Sequence, residues 1–226
     1  MAWMQFSRGL RLDPVIRPSP EALVILLQDH GTSAATLAPV AASWATSVPG
    51  AAFVALDGFG QFDPLSSLDP DANVEPLVLD RVTQHLEPLL GRQLRSYRLD
   101  ASRLVLVGFG YGGTLALHMV LRRGLGCAGV LAFGAKVMRP LPRIVRVDQK
   151  LRLIACAEDG DMDHSSLREV VALLTKYGID TRAALLPGAA LSDQAIRHGG
   201  AYLVELVATA QRGDRFHLDR ESSHAQ

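Results

Sequence analysis

Cysteine is scarce: only Cys127 and Cys156 occur in 226 residues. Two are too few for a disulfide framework, and both lie in apolar, strand-like runs. Buried free thiols in a reducing, cytoplasmic compartment are therefore expected. Neither sign of charge is in excess, since 23 basic residues balance 23 acidic ones. Without a basic patch or an acidic tail, nucleic acid is not an expected partner. No apolar run reaches membrane-spanning length, which argues against a transmembrane helix. Residues 1–14 lack both a long apolar core and a small-residue cleavage site, so no secretion signal is expected there. Internal repeats and interior linkers are lacking too. The expectation is one domain over residues 21–211, an irregular lead-in over 1–20 with a short edge strand, and a polar, disordered tail over 212–226.

What is present is a regular alternation. Continuous apolar runs at 22–27, 52–56, 103–108, 128–134, 151–156 and 181–186 predict buried strands. Helical spacing lies between them. Leu37, Val40, Ala41 and Trp44 share one face of a helix ending near Ser47, with Pro39 tolerated only in its first turn. Leu79, Val82, Leu86, Leu90 and Leu94 share a face over 76–97, and Pro88 predicts a kink or a break there. Ser166-x-x-Glu169 reads as a capping box for a further helix, and Ser192 as the start of the last one, which Gly199-Gly200 should weaken. Strand–helix alternation of this kind predicts an α/β fold, with a mostly parallel sheet covered by helices on both faces. Two long loops, 57–75 and 136–149, interrupt it. Arg139, Arg143, Arg146 and Lys150 of the second read as a solvated basic edge.

The stretch from Leu104 to His118 organises the chain. A β-branched run ends in glycines and passes at once into an apolar helical run. That is the layout of a nucleophile elbow, G-x-S-x-G, in which a serine is presented on a sharp strand-to-helix turn. Here it reads Gly108-Phe109-Gly110-Tyr111-Gly112, and glycine stands where the serine belongs. Glycine suits the positive φ of such a turn, so the turn is expected to persist without its reactive oxygen. The spacing Gly108-x-Gly110-x-x-Gly113 also fits a dinucleotide fingerprint. However, the strand lies mid-chain, with no acidic residue at the usual distance, and no G-K-[ST] follows for a phosphate loop. In the acidic stretch Glu158 to His164, Asp159-x-Asp161-x-Asp163 echoes the start of a calcium loop. It lacks the following glycine and the late glutamate, where Val170 stands. No metal and no cofactor are expected.

Four segments together resemble the phospholipase/carboxylesterase family of α/β-hydrolases, which includes acyl-protein thioesterases. They are the first-strand region, Leu27 to Ala41; Val48-Pro-Gly-Ala-Ala-Phe-Val-Ala-Leu-Asp57, similar to "PG-x-x-F-V-x-P-D"; Tyr97 to Gly113, similar to a segment ending in "GFSQGG"; and Gly160-Asp-Met-Asp163, similar to an acid loop "HG-x-x-D". With Leu186-Pro-Gly188 the likeness covers about residues 20–210.

The resemblance implies an α/β-hydrolase fold and a site whose chemistry has been lost at several positions. The family serine falls on Gly110 and the histidine base on Leu191, while the acid is retained as Asp163. The "HG" of the oxyanion loop falls on Gln28-Asp29, with His30 and Tyr111 beside the same pocket. Such catalysis needs nucleophile, base and orienting acid together. The expectation is therefore an inactive relative that binds an acyl or other small apolar ligand, or a protein partner. The alternative is an ester or thioester hydrolase rebuilt around His30 or Tyr111. A homodimer is implied by the resemblance alone. Of the remaining candidates, His118 reads with Thr114 and Arg122 as an exposed helix stripe, His198 as surface, Ser192 as a helix cap, and Cys156 as a thiol with no base beside it.

Overall fold

Apolar residues two apart point to the same side of a strand, and that period sorts the core into two layers. The computed structural model describes residues 4–6, 9–16, 18–56, 76–137, 148–159 and 164–222. The strands expected from apolar runs form as β3 (Ala22–Leu27), β4 (Ala51–Leu56), β5 (Leu104–Phe109), β6 (Gly129–Phe133), β7 (Lys150–Cys156) and β8 (Asp180–Leu186). Leu23, Ile25 and Leu27 of β3 join one apolar cluster, whereas Ala22, Val24 and Leu26 join the other. The helices are α1 (Ala38–Ala45), α2 (Pro76–Tyr97), α3 (Tyr111–Leu121), α4 (His164–Lys176) and α5 (Asp193–Ser222). Helices α2, α3 and α4 cover the first cluster, and α1 and α5 the second.

The lead-in carries more structure than one edge strand. It supplies β1 (Met4–Phe6) and β2 (Gly9–Leu12), an antiparallel pair added to β4. The sheet then runs β1-β2-β4-β3-β5-β6-β7-β8, and every pairing from β4 to β8 is parallel. This is the expected mostly parallel α/β-hydrolase architecture. No helix among the described residues is long and apolar enough to cross a membrane.

Some local expectations change in the tertiary setting. Pro88 does not break α2, which continues to Tyr97. Pro88 and Gln84 are both exposed, so the carbonyl that the proline leaves without an intrahelical donor can be hydrated. Helix α4 starts at His164, which puts Ser166 inside its first turn rather than at its cap. Helix α5 runs unbroken through Gly199 and Gly200 and reaches Ser222, within the stretch expected as a disordered tail. Its glycines serve packing: a Cβ on Gly199 would overlap the Phe133 ring, and one on Gly200 would lie 3.1 Å from the Trp44 indole.

His118 is the clearest correction. It is 4% exposed rather than part of an open stripe, and its Nε2 lies 2.8 Å from Asp80 Oδ1. Helix α3 is buried from Gly112 to Leu121, so it has no solvent face for such a stripe to occupy. Burial pushes the His118 pKa below its ordinary 6.5, against the pull of Asp80. The unfolded chain therefore takes up this proton at a higher pH than the folded one. Stability should decline as pH falls below 6.5. Denaturant titrations between about pH 7.5 and 5.5 should show this slope, and His118→Gln should flatten it.

Candidate functional site

Strand order brings the candidate residues together. β3 and β5 are parallel neighbours, with Leu27 opposite Gly108. The loop leaving β3, Gln28 to His30, thus meets the turn leaving β5, Gly110 to Tyr111. Both lie at the carboxyl edge of the sheet, where open α/β folds bind ligands.

The turn has the backbone of an elbow. Gly110 adopts φ 51° and ψ −116°, immediately before the first residue of α3. Its N–H donates to the Phe133 carbonyl at 2.8 Å, and its carbonyl accepts from the Thr114 N–H at 3.1 Å. An aromatic stack forms the floor. Phe109 and Phe133 lie 4.5 Å apart, and Trp44 flanks them at 6.4 and 6.1 Å. The Trp44 Nε1–H donates to the Ile196 carbonyl at 2.9 Å, tying α1 to α5 behind the turn.

The space over Gly110 belongs to Asp29. Its Oδ1 accepts the backbone N–H of Tyr111 and that of His30, both at 2.8 Å. A Cβ placed on Gly110 would overlap the Asp29 carboxylate. In hydrolases built on an elbow, the amide after the nucleophile and an amide from the preceding loop hold the reaction's oxyanion. Here the Tyr111 and His30 amides hold a carboxylate of the chain itself. Sequence reasoning placed Asp29 in this loop but not in this role. The available signal was a side chain in the loop at the place where the resemblance puts glycine, facing a glycine where it puts serine.

The other candidates are distributed around this contact. Gln28 is buried, and its Nε2 donates to the Thr32 carbonyl at 3.4 Å. His30 is exposed, with its ring edge-on to the half-buried Tyr111 ring at 6.1 Å. Leu191, on which the resemblance puts the base, lies in the turn between β8 and α5 and is 50% exposed. The loops following β7 and β8 touch where the Glu158 N–H donates to the Gly188 carbonyl at 3.2 Å. Asp163, on which the resemblance puts the acid, lies outside the described residues, as do Asp161 of the calcium-like spacing, the loop 57–75, and Arg139, Arg143 and Arg146. Lys150 is described and pairs with Glu205 at 3.6 Å. Ser192 caps α5 as expected, its Oγ accepting the Ala195 N–H at 3.3 Å. His198 is half-buried against Tyr202, with ring centres 4.9 Å apart. Among the described residues, no three His, Cys, Asp or Glu side chains converge to hold a metal ion.

No curated protein sequence matches the chain. Solved structures do. Esterase PE8 is 22% identical with a TM-score of 0.72, over 88% of this chain and 98% of its own. The Bacillus cereus carboxylesterase is 14% identical with a TM-score of 0.72, over 88% and 95%. The Mesorhizobium loti carboxylesterase is 20% identical with a TM-score of 0.71, over 86% and 93%. At these identities the likeness speaks for the fold alone. The sequence model of the Phospholipase/Carboxylesterase family matches residues 21–145, more than half of the chain and including both the loop of Asp29 and the elbow of Gly110, and the chain belongs to that family.

Proposed function

We propose that this chain is a non-catalytic carboxylesterase relative, a scaffold that binds an acyl or other small apolar ligand, or a protein partner, at the former active site. One observation carries the reading. The elbow keeps its strained backbone at Gly110, yet no side chain projects from it. An ester cannot be attacked from a position that has no nucleophile. The base position supports the same view, because Leu191 is a half-exposed hydrocarbon on the turn that should carry a histidine. In the family pattern the acid that falls on Asp163 orients that histidine, and a leucine at position 191 leaves that pairing without its base. A homodimer is the assembly that the family resemblance implies.

The alternative, a rebuilt hydrolase, has one feature in its favour: His30 and Tyr111 stand edge to face beside the elbow. A single experiment separates the two. Purified protein is assayed with p-nitrophenyl acetate and octanoate. The expected result is no turnover above the rate of the same ester in buffer. Turnover that survives repurification and disappears in His30→Ala or Tyr111→Phe would overturn the proposal in favour of the rebuilt site.

A further inference from the structure

We propose that the Asp29 carboxylate is a built-in occupant of the elbow, an autoinhibitory contact that closes the site to carboxylate-bearing ligands until it swings out. Two features of this one carboxylate carry the proposal. Backbone donors from separate elements, Tyr111 at the start of α3 and His30 after β3, converge on one carboxylate oxygen at 2.8 Å each. The same carboxylate also fills the volume that any side chain at position 110 would need. Asp29 thus takes both the hydrogen bonds and the space that an incoming anionic oxygen would use.

The occupant is displaceable. Asp29 is exposed, and the overlap at position 110 involves the end of a short side chain rather than backbone. Rotation about its side-chain bonds would clear the elbow without moving β3 or β5. The donors left behind would still face the same point, and their geometry suits an oxygen carrying negative charge. The resident group itself names the ligand chemistry, a carboxylate. In the resemblance, glycine stands in the loop and serine at the elbow; here aspartate stands in the loop and glycine at the elbow. The side chain has changed element while the filled volume is kept.

This inference deepens the binding role proposed above and rests on it. Its test is chemical rescue followed by amide NMR. In Asp29→Ala the Tyr111 and His30 amides should move from their wild-type positions. Sodium acetate, matched against sodium chloride for ionic strength, should return them toward those positions with saturation. The wild-type amides should not respond over the same range, a difference of at least about tenfold in apparent affinity. Acetate acting equally on both proteins, or leaving the Asp29→Ala amides unmoved, would overturn the inference.

A thermal double-mutant cycle provides a second reading. Gly110→Ala should lower Tm by less in the Asp29→Ala background than in wild type, because the collision partner has been removed. An equal loss in both backgrounds would also overturn the inference. Neither result depends on ester turnover, so hydrolysis by the wild type would defeat the non-catalytic reading while leaving this contact to be judged by its own experiment.

Discussion

Gly112→Ala should be among the most damaging single-methyl additions in this protein. Its Cβ would overlap the carbonyl oxygen of Leu27 and lie 2.5 Å from that of Gln28. Both obstacles are backbone, so no rotamer change relieves them. Helix α3 would have to lift away from the end of β3, and the apolar layer it shares with α2 and α4, Leu115 and Met119 included, would loosen with it. Overpacking of this rigid kind should cost about 3 kcal/mol. For a chain of this size that is a fall in Tm of roughly 6–12 °C. Gly178→Ala is the matched control. Gly178 has φ 78° with nothing within 4 Å of a built Cβ, so only backbone strain of about 1 kcal/mol is expected. Calorimetry on the two variants would test the contrast. Equal losses would mean that the helix yields easily and that the close approach of α3 to β3 is not a structural requirement.

Arg152→Met should be comparably destabilising, through charge rather than volume. Arg152 is fully buried near the start of β7, and every nitrogen of its guanidinium is engaged. Nε and Nη2 donate to Glu205 at 3.1 and 2.7 Å. Nη1 and Nη2 donate to the Asp180 carboxylate at 3.1 and 3.2 Å. Nη1 also reaches the carbonyls of Leu151 and Asp180 at 2.9 and 3.0 Å. One residue thereby fastens β7, the edge strand β8 and helix α5. Methionine keeps most of the bulk but removes the charged donor from two carboxylates and two carbonyls; water reaches the part-exposed Asp180 and Glu205, so the expected cost is about 2–3 kcal/mol, that of lost charge-assisted hydrogen bonds rather than of a stranded buried charge. Lys150 and Arg182, at 3.6 and 3.5 Å from Glu205, soften but do not replace the loss.

The pH profile distinguishes this mechanism from simple loss of packing. The hydrogen bond from Arg152, helped by charge attraction, holds the Glu205 carboxyl down at about 2 from its ordinary 4.5. The stabilisation is complete above pH 4.5 and drains away as pH falls toward about 2, because the unfolded carboxylate protonates first. In Arg152→Met that acid-side slope should shrink. An unchanged slope in denaturant titrations would show that Arg152 contributes by packing. Amide signals of Tyr111 and His30 should remain in place, since Arg152 lies toward the opposite end of the sheet from the elbow.

The strands and the elbow were legible because their signals are local. Leu104 to Phe109 is a continuous apolar run, and the glycines that follow it permit the positive φ of the turn; both facts belong to neighbouring residues. The same is true of Ser192, whose cap needs only a helix beginning beside it. His118 was misread because a helical stripe is judged by spacing within one helix, whereas its burial depends on the elements packed around α3 and its partner Asp80 comes from α2. Pro88 was overweighted because its effect turns on which side of α2 meets water. Arg152 gave no signal at all, since a lone arginine in an apolar run has no visible partner until β8 and α5 pack beside it.

The sequence by itself determined the parallel α/β frame, the family, and the glycine at the centre of the elbow motif, all of which follow from side-chain period, backbone permission at glycine and motif spacing. Only the tertiary structure decided what fills the elbow. Asp29 and Tyr111 are 82 positions apart and meet because β3 and β5 are adjacent in the sheet. Strand order is set by the packing of the whole core, and no short stretch of chain encodes it.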